Sequence, residues 1–495
     1  MLEKAISDDG KQTDYKDMTR QLQQNLSGLQ LKLKEKKLPV IIVFEGWGAS
    51  GKGSLIADTI KMLDPRFFKV CSTLPASEQE KRYPLMKRFW EMIPEKGKIL
   101  IMDRSWYQEL AIAKLEEGIS GDEYDRRVEA VNTFERQLTD DGYLIIKLFL
   151  HISRREQKRR FLKLKEDNAT KWRVTDTDKM RNKNYDTYYK QFDDMLMRTD
   201  SEYCRWKVID TTDKQFTRFQ LFNILVSQIT NAVNSKPEYR SPADLTTMFP
   251  LIKMPELSKI DLSGKTVKPA RYSDELKKRQ KELAKLHSKI YKKKIPVVIV
   301  FEGWDAAGKG GAIKRIGAAL DPRGYEAVPV AAPSREELDR HYLWRFWKNI
   351  PKTGHITIFD RSWYGRVMVE RIEGFTPRER CDMAYREIDE FERELDRAGV
   401  VVIKFWMQID KEEQLRRFTA RQNDPEKQWK ITDEDWRNRE KWDTYESAIN
   451  EMIEKTSVTY APWTVVEGND KLYARIKVLD TVIDRLEKAL ERSKK

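Results

Sequence analysis

Gly303-Trp-Asp-Ala-Ala-Gly308-Lys309-Gly310 is a glycine loop ending in a lysine, set directly after the apolar run Val297–Phe301 and before a helical pattern. In that setting G-x-x-x-x-G-K carries chemical meaning. Gly303, Gly308 and Gly310 let backbone N–H groups turn toward phosphate oxygens, the helix start adds partial positive charge, and Lys309 can reach a transferred group. The Ser or Thr that would ligate Mg²⁺ after the lysine is Gly310 here, so a metal needs another protein oxygen. Asp305, inside the loop, can supply it; its competing role is a turn-stabilising side chain. Asp360 ends another apolar run, the edge where open α/β sheets bind ligands, and competes with a helix N-cap role. Two carboxylates with phosphate oxygens and water suit octahedral Mg²⁺, with Mn²⁺ as an alternative.

Cations surround these positions. Arg361 and Arg366 follow Asp360 and can clamp phosphates bidentately; pairing with acids such as Glu370 is the competing reading. Arg416, Arg417 and Arg421 lie after the fourth apolar run, followed by Lys427, Trp429, Lys430, Arg437, Arg439 and Lys441. Arg417 and Arg421 are i,i+4 neighbours and share a face. P-loop kinases tend to carry a lid at this place in the sequence, and its cations exceed what one nucleotide requires. The tryptophans beside basic residues (Trp347, Trp429, Trp436) can stack a base, but core or lid packing is the favoured reading.

The elements that hold these residues occur twice. Val40–Arg66 matches Val297–Arg323 at an offset of 257, and Asp103-Arg-Ser-Trp-Tyr matches Asp360-Arg-Ser-Trp-Tyr at the same offset. A repeat that long is two domains, not a solenoid. Each copy reads as an amphipathic helix (Tyr15–Lys37; Tyr272–Lys294), a β-branched strand (Pro39–Phe44; Pro296–Phe301), the glycine loop and its helix, and four further strands alternating with helices. The later strands of the second copy are expected at Tyr325–Ala332, His355–Phe359, Val400–Trp406 and Trp463–Val466. Apolar strands alternating with helices predict parallel sheets covered on both faces. The expected domains are 1–237 and 271–495, joined by a proline-rich linker, 238–270.

The chain has 495 residues, 40% hydrophobic and 11% aromatic, which supports real cores and excludes global disorder. Lys plus Arg outnumber Asp plus Glu by 94 to 80, a formal charge of +14 that favours anionic partners. Three scattered cysteines argue against a disulfide framework, and four histidines show no zinc spacing. The charged N-terminus is unlike a signal peptide, and the apolar runs are strand-sized. A soluble cytoplasmic protein without a membrane partner is expected.

The loop, Asp360-Arg-Ser-Trp-Tyr-Gly-Arg366, Arg345-Phe-Trp347 and the stretch from Trp429 through Ala461-Pro-Trp463 together resemble the type-2 polyphosphate kinase family. The resemblance covers nearly all of residues 272–486 and, more weakly, 15–233. It implies two tandem P-loop kinase-like, three-layer α/β/α domains akin to thymidylate kinase, with helical lids. It also implies transfer of a phosphoryl group from inorganic polyphosphate to AMP, giving ADP, with nucleoside diphosphates as further acceptors or the reverse direction left open. Asp305 and Asp360 would hold Mg²⁺, Lys309 would contact the transferred group, and Arg361, Arg366 and Arg421 would surround donor and acceptor phosphates. Gly303, Gly308, Gly310, Arg416, Arg417 and Lys430 would bind polyphosphate or nucleotide. No nucleic acid is expected as a partner; a homo-oligomer is left open. The alternatives are an ATP-dependent nucleotide kinase and a non-catalytic polyanion-binding module. Finally, Asp305 is matched by Gly48, Arg366 by Glu109 and Glu370 by Ala113, so the first copy is expected to be catalytically degenerate; the competing reading is that Ser54 or Asp58 rescues the metal.

Overall fold

A computed structural model of the chain describes residues 1–7, 14–235 and 248–494. The chain divides into two compact units, one of residues 1–77, 88–238 and 335–341, the other of residues 78–87, 239–334 and 342–495. Each unit takes in a short piece of sequence numbered within the other copy. In the second unit Arg82 donates to the Thr353 carbonyl at 3.0 Å, and in the first Arg340 pairs with Glu95 at 3.1 Å. Residues 238–247 of the expected linker lie outside the described residues. The remainder packs on the second unit: Phe249 and Leu257 are buried, and Leu251 bridges to Val458.

In the first unit the strands are β1 (Val40–Gly46), β2 (Phe68–Ser72), β3 (Ile99–Asp103), β4 (Leu144–His151) and β5 (Trp206–Asp210), all parallel, in the order β2-β3-β1-β4-β5. The helices used below are α1 (Tyr15–Glu35), α2 (Lys52–Ile60), α3 (Gly121–Asp140), α4 (Arg154–Glu166), α5 (Asp176–Lys183), α6 (Tyr185–Arg198) and α7 (Lys214–Asn234). Central β1 is buried on both faces because its Val-Ile-Ile-Val-Phe run has no polar face to offer water. Leu26, Leu29 and Leu33 of α1 and Leu221, Leu225 and Ile229 of α7 recur at helical spacing and close one core over β1.

The second unit repeats this with β6 (Val297–Gly303), β7 (Tyr325–Pro329), β8 (Ile356–Asp360), β9 (Val401–Gln408) and β10 (Trp463–Glu467), ordered β7-β8-β6-β9-β10. Its helices used below are α8 (Pro269–Lys292), α9 (Lys309–Gly317), α10 (Arg378–Arg397), α11 (Lys411–Gln422), α12 (Asp433–Glu440), α13 (Trp442–Thr456) and α14 (Lys471–Arg492). Both units are therefore α/β with parallel five-stranded sheets, as expected. β7 stops at Pro329, short of the expected Ala332, just as β2 stops at the matching Ser72. α8 starts earlier than expected because Pro269 occupies its first turn, where a missing N–H is harmless.

The position of the glycine loop follows from the strand order. Chain leaving β6 must turn at the carboxyl end of the sheet beside β8, so Gly303–Gly308 and Asp360–Arg366 emerge at one edge.

Candidate active site at the glycine loop of the second unit

The loop owes its shape to a few local demands. Gly303 has φ +151°, and a Cβ there would stand 2.6 Å from the Met407 carbonyl, so only glycine lets β6 approach β9 so closely. Gly308 has φ +110° and caps α9. Two residues with side chains, Ala306 and Arg361, are also left-handed, at φ +62° and +66°. Such conformations cost about 1–2 kcal/mol each and persist only where surroundings hold them.

Those surroundings are visible. Trp304 stacks on Trp442 of α13 at 3.7 Å between ring centroids and donates to Gln408 at 3.0 Å. Gln414 of α11 donates to the Asp305 carbonyl at 3.2 Å. Arg417, buried on α11, donates to the carbonyls of Ala306 at 2.9 Å and Asn469 at 3.1 Å, and pairs with Glu413. Its guanidinium therefore braces the loop, where the sequence reading expected a polyphosphate ligand.

A second support holds the Asp360–Tyr364 turn. Lys404, in the middle of apolar β9, is fully buried and lies 2.7 Å from Glu392 of α10, 2.8 Å from the Tyr364 hydroxyl and 2.7 Å from the Thr456 carbonyl. The Tyr364 hydroxyl and Trp363 indole donate to Glu392 at 2.6 and 3.1 Å. Every strong polar group in this network is matched, which is what allows a charge pair to be buried.

The reactive groups sit on this frame. Lys309 curls back on its loop, donating to the carbonyls of Gly303 at 2.6 Å and Trp304 at 3.2 Å. Burial lowers its pKa, with Asp305 opposing the shift. Asp305 faces Arg361 at 3.2 Å and Asn438 of α12 at 3.1 Å. The structure thus brings Asp305, Lys309, Asp360 and Arg361 to one edge. Glu302, buried at the end of β6, accepts from Ser362 at 2.7 Å, and burial raises its pKa. Neither Asn438 nor Glu302 was expected; a carboxylate repeated as Glu45 and Glu302 inside two otherwise apolar strands was the available signal.

The remaining expected residues are more dispersed. Arg366 pairs with Glu370 at 3.2 Å and donates to Thr376 at 2.7 Å, the alternative foreseen for it. Arg421 is half-buried one turn beyond Arg417. Arg416 is exposed and pairs with Glu413 at 2.7 Å. Gly310 lies in the first turn of α9. The side chain of Lys430 lies outside the described residues. Of the tryptophans, Trp347 is core, Trp436 packs edge-on against Phe418, and Trp429 is 75% exposed in the lid turn.

The donor set suits a hard divalent cation only in part by itself. Among the described residues no three His, Cys, Asp or Glu side chains converge as a closed metal site. Asp305 and Asp360 offer carboxylate oxygens, and phosphate oxygens and water would complete the shell, which fits Mg²⁺.

The first unit preserves the frame and alters the chemistry. Lys147 and Glu135 repeat the buried pair at 2.8 Å, and Arg160 braces its loop through the Ala49 and Ser50 carbonyls at 3.1 and 3.2 Å. Lys52 makes the same bonds to its loop at 2.9 and 3.0 Å; burial, then Arg104, lowers its pKa to about 8. Asp103 keeps its place, with Oδ1 buried and lacking a hydrogen-bond partner. Gly48 offers no side chain, and the carboxylate of Asp178 from α5 fills the space: a Cβ at Gly48 would meet its Oδ1 at 2.6 Å. Glu109, in place of Arg366, is neutralised by Arg88 and by Arg127 at 3.5 Å. Asp58 is engaged with Arg218 at 2.9 Å and Ser54 is exposed, so neither stands in for the lost loop carboxylate.

Known proteins resemble this chain over both halves. The sequence profile of Polyphosphate kinase 2 (PPK2) matches residues 9–237 and 266–494. The polyphosphate:AMP phosphotransferase of Pseudomonas aeruginosa is 40% identical over 482 residues, covering 97% of both chains. That of Acinetobacter johnsonii is 35% identical over 90% of each. A crystal structure from Pseudomonas aeruginosa PA01 assigned to polyphosphate kinase 2 superposes with a TM-score of 0.85 at 38% identity, over 99% of this chain and all of that one. With both halves matched by one profile and full-length relatives at this level of identity, the chain belongs to the polyphosphate kinase 2 family.

Proposed function

We propose that the second unit transfers a phosphoryl group from inorganic polyphosphate to AMP, producing ADP. The observation that carries this reading is the meeting of Asp305, Lys309 and Arg361 at the sheet edge, in a chain whose full-length relatives are named polyphosphate:AMP phosphotransferases. In the transfer, an oxygen of the AMP phosphate bonds to the terminal phosphorus of polyphosphate. The bond from that phosphorus to the bridging oxygen breaks, and the chain leaves one unit shorter, taking the electron pair. The attacking oxygen is already ionised near neutral pH, so no general base is needed. Catalysis then rests on positioning and charge. Lys309 releases its loop carbonyls to meet the transferred group, Arg361 exchanges Asp305 for phosphate oxygens, and Arg366 and Arg421 face the acceptor and donor. Asp305 and Asp360 would hold Mg²⁺, which would add to the neutralisation of phosphate charge.

The first unit serves as a non-catalytic partner, because Gly48 and the Glu109–Arg88 pair remove a loop carboxylate and an acceptor-side cation. A cytoplasmic setting is proposed on the three free thiols; separately, among the described residues no helix is long and apolar enough to cross a membrane. The test is incubation of the purified chain with Mg²⁺ and polyphosphate, without ATP, and with AMP, ADP, GMP or GDP in turn. ADP from AMP is expected. Absence of phosphorylated product in every mixture, or turnover with ATP alone, would refute the reading.

A further inference from the structure

A cleft of about 440 Å³ opens in the second unit, lined by Leu262, Lys265, Thr266, Arg416, Asn469, Asp470 and Lys471. It adjoins the glycine loop. Arg417 joins the Ala306 carbonyl to those of Gly468 and Asn469, and a Cβ on Gly468 would lie 3.4 Å from the Ala307 carbonyl. The segment that forms the cleft wall is therefore tied to the backbone of the glycine loop.

Its charge is one-sided. Lys265, Lys471 and Arg416 line it, and among the described residues neither lysine has a carboxylate within ion-pairing distance. The single acid in the lining, Asp470, is committed to capping α14: Oδ1 accepts from the N–H groups of Leu472 at 2.6 Å and Tyr473 at 2.9 Å. Desolvation and the Arg417 guanidinium lower the pKa of Lys471, Glu413 opposes the shift, and Arg416 and Arg421 add to it. At the 257-residue offset Lys265 is matched by Asp8, so the sequence supplies this lysine only beside the loop that keeps Asp305.

A polyphosphate donor places its terminal unit at the loop, and the rest of the chain must leave across the protein. We propose that this cleft holds the distal phosphate units, with Lys265 and Lys471 as their main contacts, so that donor affinity grows with chain length. The proposal rests on the reading of polyphosphate as donor, and assigns to residues of the segment before α8 a role in selecting it.

The experiment compares the full-length protein with Lys265→Ala, Lys471→Ala and the double variant, using long-chain polyphosphate and tripolyphosphate as donors. Loss of one ammonium contact to phosphate is expected to raise KM for the long chain about tenfold per lysine. KM for tripolyphosphate, too short to reach beyond the loop and into the cleft, should move much less, and Lys265→Arg should restore most of the long-chain affinity. Equal shifts for both donors, or none for the long chain, would overturn the proposal. Calorimetric titration of long-chain polyphosphate without AMP separates this from the functional reading. A double variant binding as tightly as the parent overturns the cleft assignment even if turnover is found. A parent that binds through these lysines but makes no ADP upholds the cleft and overturns the reaction.

Discussion

Replacing Lys309 and Lys52 by methionine, one at a time, separates the roles of the two glycine loops. Both lysines do the same structural work, two bonds from Nζ to loop carbonyls, at 2.6 and 3.2 Å for Lys309 and 2.9 and 3.0 Å for Lys52. At about 1 kcal/mol per bond, each variant should lose about 2 kcal/mol, and methionine retains the apolar stem. In a domain of this size that lowers Tm by about 4–8 °C, similarly for the two variants. Turnover should diverge. In the proposed reaction Lys309 meets developing charge on the transferred phosphoryl, and loss of one such donor costs about 10²–10³ in rate. Lys52 faces a loop without the carboxylate at 48 and an acceptor side carrying Glu109, so its loss should leave ADP production within about twofold once the protein is folded. The assay is ADP release at saturating Mg²⁺, polyphosphate and AMP, alongside calorimetric melting. The reasoning fails if Lys52→Met abolishes turnover, or if Lys309→Met keeps more than about a tenth of it while melting like its counterpart.

Breaking the buried pair with Lys404→Met or Glu392→Gln alone should cost about 3–5 kcal/mol, while the double variant recovers much of it, read as denaturant midpoints. His287, buried on α8 with Nδ1 accepting from the Asp321 N–H at 3.2 Å, has its pKa lowered from 6.5 by burial. Its contribution to stability is therefore complete above pH 6.5 and is lost as pH falls through the depressed folded value; unfolding midpoints across that window should slope in the parent and flatten in His287→Asn. Arg366→Glu, which copies the first unit, should raise KM for AMP at least about tenfold with a smaller change for polyphosphate, because the acceptor phosphate then meets the introduced carboxylate beside that of Glu370 in place of an ion pair; initial-rate kinetics with each substrate varied would check this.

Much of this fold can be read without coordinates. A 257-residue offset and β-branched runs ending in glycine or aspartate announce parallel strands, and a glycine loop between strand and helix has few other uses. Asp305, Lys309, Asp360 and Arg361 all come to the edge where strand order puts them. What escaped depends on side-chain direction. Arg417 and Arg421 share a helix face in sequence, yet one is drawn into a carbonyl-lined corner and the other remains half-buried, a difference set by Ala306 and Asn469 approaching from distant segments. Lys404 within Val-Val-Ile-Lys-Phe-Trp carried a clue, since a lysine in a doubly buried strand must find an acid, but its partner Glu392 lies on another element. Asn438 acts on Asp305 only because the lid brings α12 over the loop.

The carboxylate of Asp178 beside Gly48 makes the divergence of the two copies hard to reverse. Restoring an aspartate at 48 places its Cβ 2.6 Å from Asp178 Oδ1, and two like charges would then compete for one space. Asp178 is not free to withdraw, because its Oδ2 accepts from Thr175 to cap α5, a bond whose loss costs about 1 kcal/mol. Nor is there an amide to receive the restored side chain: where the second copy has Asn438, the first has Arg181, which is turned to Glu116 at 2.7 Å. Reversion by one substitution would thus be opposed by sterics, repulsion and a missing donor together. The structure acts as a ratchet, in which a neighbour settled into vacated space turns the loss of one small group into a step that only several simultaneous changes could undo.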